Sequence, residues 1–412
     1  MTAPSRPRID PALLVIAAGV SAAFHVGKLP PALPALQDSL GIGLVEAGFL
    51  ISLVQLAGMT LGLIAGLAAD GLGLRRAFVA GLAVLCAASL AAGFVHSASP
   101  MLALRALEGV GFLLVATTAP GLIRRLVPPE RLSPRLGLWG CYMPLGTALA
   151  LLAGPAWVAA WGWPSWWWLA SVLSGGFALA VLAWVPPDPA QAQTAAGVGV
   201  GRRWAPRLWQ TLGAPGPWLI SVTFAAYAAQ WLAVIGFLPT VYAQAGVSGP
   251  RAGVATALVA AVNIVGNIAS GRLLQRGVAP GRLLNTGFIA MALGSLLAFT
   301  PIFPAGSVAA VAVPYAAVLC FSMVGGLIPG TLFSLAVRLA PGADTVSTTV
   351  GWMQQWSAIG QFAGPPLVAW VASQVGGWGA SGGVTAAFAL AGLVLAWAIG
   401  RLPAAAGPAW RA

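Results

Sequence analysis

Charged side chains are scarce in this chain of 412 residues. Only 7% of the residues are charged, 20 basic and 8 acidic, whereas a soluble domain carries about 25%. So few charges cannot solvate the surface of one or two globular domains. Together with an apolar fraction of 59%, this shortage argues against a soluble enzyme, a disordered chain and a nucleic-acid-binding protein.

Histidine, cysteine and lysine are also rare. The two histidines and the three scattered cysteines show no spacing typical of a metal site or a disulfide framework. We therefore predict no metal and no cofactor. The chain has a single lysine, Lys28, beside nineteen arginines, and that lysine lies inside an apolar run.

Long apolar runs dominate the chain instead. A membrane-spanning helix needs about 20 apolar residues, and runs that do not alternate argue against a transmembrane β-barrel. We predict an all-α polytopic membrane protein with twelve transmembrane helices. The predicted spans are 11–36, 45–69, 76–97, 100–124, 136–160, 165–186, 215–243, 251–275, 283–302, 307–336, 346–372 and 381–400.

The two sets of six predicted spans resemble each other. Ala-Gly-Pro at 153–155 recurs at 363–365, and Ala-Pro-Gly at 119–121 matches Ile-Pro-Gly at 328–330, at offsets of about 210 residues. Such a repeat is typical of transporters with two pseudo-symmetric halves. The predicted divisions are an N-terminal half at 1–190, a cytoplasmic linker at 191–214 and a C-terminal half at 215–412.

The end of the second span and the loop after it carry a family resemblance, in a motif that begins at Gly66. Gly66, Asp70, Gly73, Arg75 and Arg76 resemble the signature between the second and third helices of the major facilitator superfamily. The resemblance implies two six-helix halves, alternating access and a conformational latch formed by these five residues. Gly71 and Leu74 depart from the family pattern, which prefers basic residues there.

The fourth span carries a second resemblance to the family. Arg105, Glu108, Gly109 and Gly111 follow its pattern, with Glu108 in place of a glutamine. Arg105 and Glu108 are three residues apart and share a helix face. An arginine inside a span is costly and faces the bundle interior, so the pair is either a proton- or substrate-linked site or a structural brace.

The first span carries the residues with the most specific chemistry. His25 and Lys28 lie in its middle, three residues apart and on one helix face. Because the first, fourth, seventh and tenth helices line the cavity in this superfamily, the resemblance implies that His25, Lys28 and Arg105 surround one space. Alternatively, Lys28 extends along the helix to the membrane surface.

Other candidate residues are polar groups in the second half. The predicted substrate-binding residues are His25, Lys28, Arg105, Tyr227, Gln230, Trp231, Asn263, Gln354 and Gln355, and the predicted proton carriers are His25 and Glu108. Hydrogen bonding between helices is the alternative role for the uncharged members of this set. Gln230 is the first choice among them, because the seventh helix mirrors the first.

These residues favour a secondary transporter rather than an enzyme. Two or three potential cations around one acid favour a small organic or inorganic anion, and anion uptake against a negative-inside potential requires a co-transported cation, for which we predict protons. The run Met143-Pro144-Leu145-Gly146 loosely resembles the cyanate and nitroimidazole transporter branch. The alternatives are a drug or metabolite efflux antiporter of the same superfamily, and, from another class, a membrane sensor or a lipid-modifying enzyme.

The expected setting is a bacterial-type inner membrane, with the chain acting as a monomer in the bilayer on a small-molecule substrate and without nucleic acid. Basic residues fix the expected orientation, because seventeen of the twenty fall in the loops and tails of one side if both termini are cytoplasmic. Arg251 alone falls on the other side. This bias is the positive-inside rule.

The topology can be tested with reporter fusions at residue 195 and at the C-terminus. Both should give a cytoplasmic signal, because the arginine-rich loops remain inside. A periplasmic signal at either site would show the predicted orientation to be wrong.

Overall fold

The structure is a computed structural model, and it contains helices and no strands in the part of the chain that it describes. The residues it describes are 10–128, 135, 138–188, 200–244, 246–247, 249–300, 302–304, 307–342 and 345–402. Within the helices, the side chains of 65–72, 124, 200–204, 250, 337 and 346–347 also lie outside this description.

Fifteen helices over these ranges carry the fold. In chain order they are α1 Pro11–Gly27, α2 Leu29–Leu40, α3 Leu44–Ser52, α4 Leu56–Leu72, α5 Leu74–Ala92, α6 Ala98–Leu126, α7 Tyr142–Trp184, α8 Val200–Gly213, α9 Pro215–Gln244, α10 Gly249–Gln275, α11 Pro280–Phe299, α12 Val308–Gly325, α13 Leu327–Leu339, α14 Val346–Val375 and α15 Ser381–Gly400.

The prediction of an all-α membrane protein is confirmed. Ten helical stretches among the described residues are long and apolar enough to cross a membrane. One of them, α7, is interrupted at Gly162, where φ is 74°, so it contains the fifth and sixth predicted spans. The eleventh predicted span corresponds to α14, and each of the other predicted spans also coincides with helix.

Buried apolar side chains form two clusters. One is built mainly from residues between Leu14 and Val185, and the other mainly from residues between Ile220 and Ile399. Side chains cross between them at a few points, since Leu232 and Phe237 pack in the first cluster and Leu151 packs in the second. Of the predicted linker, residues 200–213 form helix α8 and residues 191–199 lie outside the described part.

Glycines let paired helices approach closely in both parts of the chain. A Cβ on Gly146 of α7 would lie 2.5 Å from the Val20 carbonyl oxygen of α1. On α14, a Cβ on Gly360 or Gly364 would lie 2.2 Å from the carbonyl oxygen of Ala225 or Ala229 of α9. Gly364 belongs to the Ala-Gly-Pro motif of the repeat, so this copy of the motif serves helix–helix contact.

Gly364→Ala should lower the melting temperature of the purified protein. Alanine favours helix over glycine by about 1 kcal/mol, but this methyl group would meet a backbone oxygen, and overpacking costs about 1–3 kcal/mol. Gly383→Ala is the matched control, because nothing lies within 4 Å of its Cβ position in α15. Equal melting temperatures for the two variants would contradict the close approach.

Candidate functional site

The first span is broken at Lys28, which ends α1 and begins α2. Pro30 and Pro31 follow directly. A proline has no N–H and crowds the carbonyl of the preceding helical turn, so the two prolines weaken the helix at this point. Side chains bind carbonyls beside the break: Arg105 Nη1 donates to His25 O at 2.5 Å, and Trp166 Nε1 donates to Lys28 O at 2.9 Å.

Four ionisable side chains meet at this break. The ammonium of Lys28 lies 2.5 Å from Glu108 Oε1, and Arg105 Nη1 lies 2.7 Å from Glu108 Oε2. His25 Nδ1 is 3.1 Å from the Lys28 ammonium and 3.4 Å from Glu108 Oε1. We call His25, Lys28, Arg105 and Glu108 the buried charge cluster, because each is at most 1% exposed.

Two serines complete the hydrogen bonds of the buried charge cluster. Ser89 Oγ of α5 lies 2.7 Å from the Lys28 ammonium and donates its own hydrogen to Trp167 O. Ser174 Oγ of α7 lies 2.8 Å from His25 Nε2. The Trp167 ring covers the ammonium at 4.8 Å, a favourable cation–π distance. The cluster is therefore enclosed by α1, α5, α6 and α7.

The donors and acceptors of the cluster fix the protonation of His25. A lysine ammonium has three hydrogens and accepts nothing. Glu108 Oε1 and Ser89 Oγ accept two of these hydrogens, and the lone pair of His25 Nδ1, 3.1 Å from the ammonium, is placed to accept the third. His25 is therefore neutral in this arrangement, with its hydrogen on Nε2 facing Ser174. The cluster then holds two cations and one carboxylate, an excess of one positive charge.

The structure thus brings His25, Lys28, Arg105 and Glu108 together, but it encloses them within one bundle of helices. None of the four side chains is open to a passage, since their exposed fractions are 0% or 1%. Among the described residues, no group of three or more potential metal ligands comes together.

A second polar network joins three helices of the C-terminal part. Asn263 Nδ2 donates to Tyr227 Oη at 3.1 Å and to Ser322 O at 2.8 Å, and Trp231 Nε1 donates to Ser322 Oγ at 3.3 Å. Asn267 also donates to Asn263 Oδ1. Tyr227, Trp231 and Asn263 are thus brought together, with interhelical hydrogen bonds and no charge.

Gln230 lies apart from this network. Its amide donates to Ala226 O, whereas its Oε1 is buried without a hydrogen-bond partner. Gln230 is seven residues, about two helical turns, before Phe237, which packs in the first apolar cluster. It therefore faces the N-terminal part of the chain.

The glutamines of α14 connect the two parts directly. Gln355 Nε2 donates to Met59 O at 2.9 Å, and its Oε1 accepts from Leu63 N at 3.0 Å. Its carboxamide therefore hydrogen-bonds to the backbone C=O and the backbone N–H at the two ends of one turn of α4. Gln361, which the sequence reasoning missed, accepts from Gln55 at 3.0 Å. Gln354 is partly buried beside them.

The predicted latch is described only in part. Gly66 and Asp70 fall within 65–72, where side-chain surroundings lie outside the description. At the start of α5, the backbone N–H groups of Arg75 and Arg76 donate to the carboxylate of Asp188. Arg125 forms an ion pair with the same carboxylate. A Cβ on Gly73 would lie 2.6 Å from Asp188 Oδ2, so this glycine makes room for it.

Asp188 is a residue that the sequence reasoning missed. It follows Pro186 and Pro187 at the end of the sixth span, and an acid after two prolines near a positive loop was the available signal. Burial opposes its ionisation, but the hydrogen bonds from Arg75, Arg125 and Arg76 lower the pKa of Asp188 overall.

Comparison with known proteins assigns the family. The Major Facilitator Superfamily model matches residues 13–365, which is most of the chain. The chain belongs to the major facilitator superfamily. The family resemblance drawn from the sequence is therefore confirmed, and this family consists of multi-pass membrane transporters.

Two solved structures share the fold. A bacterial homolog of the human lysosomal transporter Spinster, in an inward-facing and occupied conformation, superposes with a TM-score of 0.77 at 15% identity, covering 97% of this chain and 98% of that one. The inward-facing unoccupied form gives a TM-score of 0.73. At 15% identity, this likeness shows only that the two proteins share a fold.

Curated relatives match over shorter stretches. The tetracenomycin C resistance and export protein of Streptomyces glaucescens is 30% identical over 159 residues, which is 38% of this chain and 30% of that protein. The multidrug transporter mfsC of Aspergillus fumigatus is 28% identical over 153 residues, which is 37% of this chain and 30% of that protein. The chain therefore spans about a third of the length of these relatives.

The lowered pKa of Asp188 predicts how the thermal stability of this protein depends on pH. Because the pKa of Asp188 is lower in the folded state, its stabilising effect is fully present above the unfolded value of about 3.9 and is lost as the pH falls through the folded value. Asp188→Asn should lower the melting temperature at pH 7, and the gap to wild type should narrow at pH 3. Asp38→Asn, at an exposed carboxylate, is the control and should show a smaller gap at pH 7. A gap for Asp188→Asn that does not change with pH would contradict this role.

Proposed function

We propose that this chain exports a small organic solute in exchange for protons, with the buried charge cluster as the proton site. The observation that carries the proposal is the enclosure of an imidazole and a carboxylate, joined by a lysine, at the break of the first span. Solute binds elsewhere, at the face between the two halves.

The enclosed cluster can bind a proton because a proton, unlike a larger ion, requires no cavity. Both oxygens of Glu108 are already hydrogen-bonded and its side chain is 0% exposed, so a larger ion would have to displace existing partners. Ionisable groups inside a membrane commonly belong to ion or proton pathways.

Helices α9 and α14, which both contact helices of the N-terminal part, carry buried uncharged groups. Gln230 has a buried oxygen without a partner, and the indole N–H groups of Trp352 and Trp356 on α14 are also buried without partners. The ring of Trp218 packs edge-on against both indoles. Gln230 lies roughly 18 Å along α9 from Trp218 and its indole neighbours, so the acceptor and the donors form two separate contact points. Uncharged and aromatic contact points suit an organic molecule better than a small anion. Relatives named for the export or resistance of tetracenomycin C and puromycin point the same way.

Anion transport with protons is the second candidate. The observation that favours it is the excess positive charge of the cluster, together with Arg105 Nη2, which is buried without a hydrogen-bond partner. An anion there would complete the charge balance. It would require the cluster to open, because Lys28 already has three acceptors.

A thermal-shift screen separates the two candidates. Purified protein is heated with tetracenomycin C, puromycin, cyanate or acetate. Stabilisation by one of the aromatic compounds supports export, and the effect should be weaker in Gln230→Ala. Stabilisation by the anions alone would overturn the export proposal in favour of the second candidate.

Glu108→Gln should uncouple transport from protons. In proteoliposomes, a gradient of one pH unit is worth about 1.4 kcal/mol and can drive about tenfold accumulation of the stabilising compound. Wild type should accumulate the compound, whereas Glu108→Gln should reach only equal concentrations, with solute-for-solute exchange retained. Glu46→Gln, at an exposed carboxylate, is the matched control. Full accumulation by Glu108→Gln would remove Glu108 from the proton site.

A further inference from the structure

We propose that Lys28 is an internal cation that a proton on His25 displaces from Glu108, and that this exchange releases the outer segment of the first span. The inference rests on the proposed proton coupling and names how the proton acts. It assigns Lys28 as a positioning residue rather than a ligand for solute.

The hydrogen bonds of the cluster make the Lys28 ammonium and a protonated His25 compete for Glu108. In the present arrangement, His25 Nδ1 accepts a hydrogen from the Lys28 ammonium at 3.1 Å. A proton arriving at Nδ1 converts this acceptor into a donor, so two donors would then face each other. The ammonium must therefore move when His25 takes up a proton.

Glu108 is placed to exchange one cation for the other. Its Oε1 lies 2.5 Å from the ammonium and 3.4 Å from His25 Nδ1. Once Lys28 leaves, the new Nδ1–H can donate to the same oxygen. Arg105 stays in place throughout, because its Nη1 is bound to Glu108 Oε2 and to His25 O.

Charge also favours exchange over simple addition of a proton. With neutral His25, the enclosed cluster carries one excess positive charge. Protonating His25 with Lys28 still in place would raise this to two in a site without solvent contact, where an uncompensated charge is costly. If the Lys28 ammonium leaves the cluster as His25 is protonated, the cluster still carries one excess positive charge. The other groups that face the cluster, Ser89 from α5 and Ser174 and Trp167 from α7, are neutral.

The position of Lys28 connects this exchange to the helices. Lys28 is the residue between α1 and α2, and Trp166 binds its carbonyl. The inner segment α1 packs mainly on α6 and α7, within its own half. The outer segment α2 packs on α7 and also on α9 of the other half. Moving the Lys28 side chain therefore loosens the hinge of the segment that touches both halves.

A distance measurement tests the exchange. In a chain with Cys86, Cys141 and Cys320 replaced, spin labels at Ser39→Cys and Ala243→Cys report the separation of the exposed outer ends of α2 and α9. Between pH 8 and pH 5 the parent should gain a longer-distance population. Lys28→Met should show that population at both pH values, because nothing holds the hinge. His25→Gln should show only the short distance, because its amide accepts from Lys28 and does not protonate.

His96→Gln is the matched control, since it makes the same change at the other, exposed histidine and should respond to pH like the parent. An acid response that persists in Lys28→Met, with proton-driven accumulation intact, would overturn the exchange and leave the proposed function standing. Absence of proton-driven accumulation in wild type would instead remove the proposed function.

A second measurement needs no variant. Because Lys28 is the only lysine of the chain, protein labelled with ¹⁵N-lysine gives one side-chain ammonium signal. Acidification from pH 8 to pH 5 should convert this signal into a second one, as the ammonium leaves Glu108 and the Trp167 ring. A single unchanged signal over this range would overturn the exchange even if Lys28→Met failed to fold.

Discussion

The ion pair between Lys28 and Glu108 is the constraint on which the first half depends. A charged side chain in a membrane interior is tolerated only when it is paired and hydrogen-bonded. Here the pair lies at a helix break, so the surrounding helices must satisfy both side-chain and backbone groups. Arg105 does both, since its guanidinium binds Glu108 and the His25 carbonyl.

The enclosure of this pair explains several neighbours that carry no charge. Ser89 accepts from the ammonium and donates its own hydrogen to Trp167 O. Trp166 Nε1 binds the carbonyl of Lys28, and its ring packs against Phe24 with centroids 4.8 Å apart. Two of the tryptophans after Gly162, Trp166 and Trp167, are therefore fully buried against the first span.

The two halves share an architecture but divide their chemistry. In the C-terminal half, α9 is continuous from Pro215 to Gln244, and its polar contacts are made by amides, hydroxyls and an indole. The described network around Asn263 contains no ionisable pair. The first span thus combines a helix break with buried charges, whereas its counterpart α9 is continuous and carries neutral groups.

Sequence patterns predicted the spans and the membership of the cluster, but not its enclosure. Helical spacing placed His25 with Lys28 and Arg105 with Glu108, because residues three apart share a face. That the pairs meet depends on how α1 packs on α6, which the family resemblance implied. The serines that close the site come from α5 and α7, and isolated serines in apolar runs carry no distinguishing signal.

The contacts made by Gln355 and Asp188 were also beyond sequence reasoning. Gln355 was predicted to bind substrate, yet its carboxamide bridges the backbone of α4. An amide suits either role, and the choice depends on the distance between helices that are nearly 300 residues apart in the chain. Asp188 caps α5 through backbone N–H groups, a contact that any side chain at Arg75 or Arg76 would allow.

In the proposed function the proton site and the solute face are separate, and this separation limits how coupling can work. A solute between the halves does not touch Glu108, because that side chain is 0% exposed. Protonation can therefore influence solute binding only by changing the position of a helix that borders both sites. The segment α2 meets this condition, since it begins at Lys28 and packs on α9. The energy available for coupling is then the difference between the two cation arrangements, and coupling energies between sites are typically about 1–3 kcal/mol. If the cluster held a second carboxylate, Lys28 and a protonated His25 would not have to compete for Glu108, and this energy difference would be lost. The single excess positive charge of the cluster therefore has a physical role in the proposed coupling.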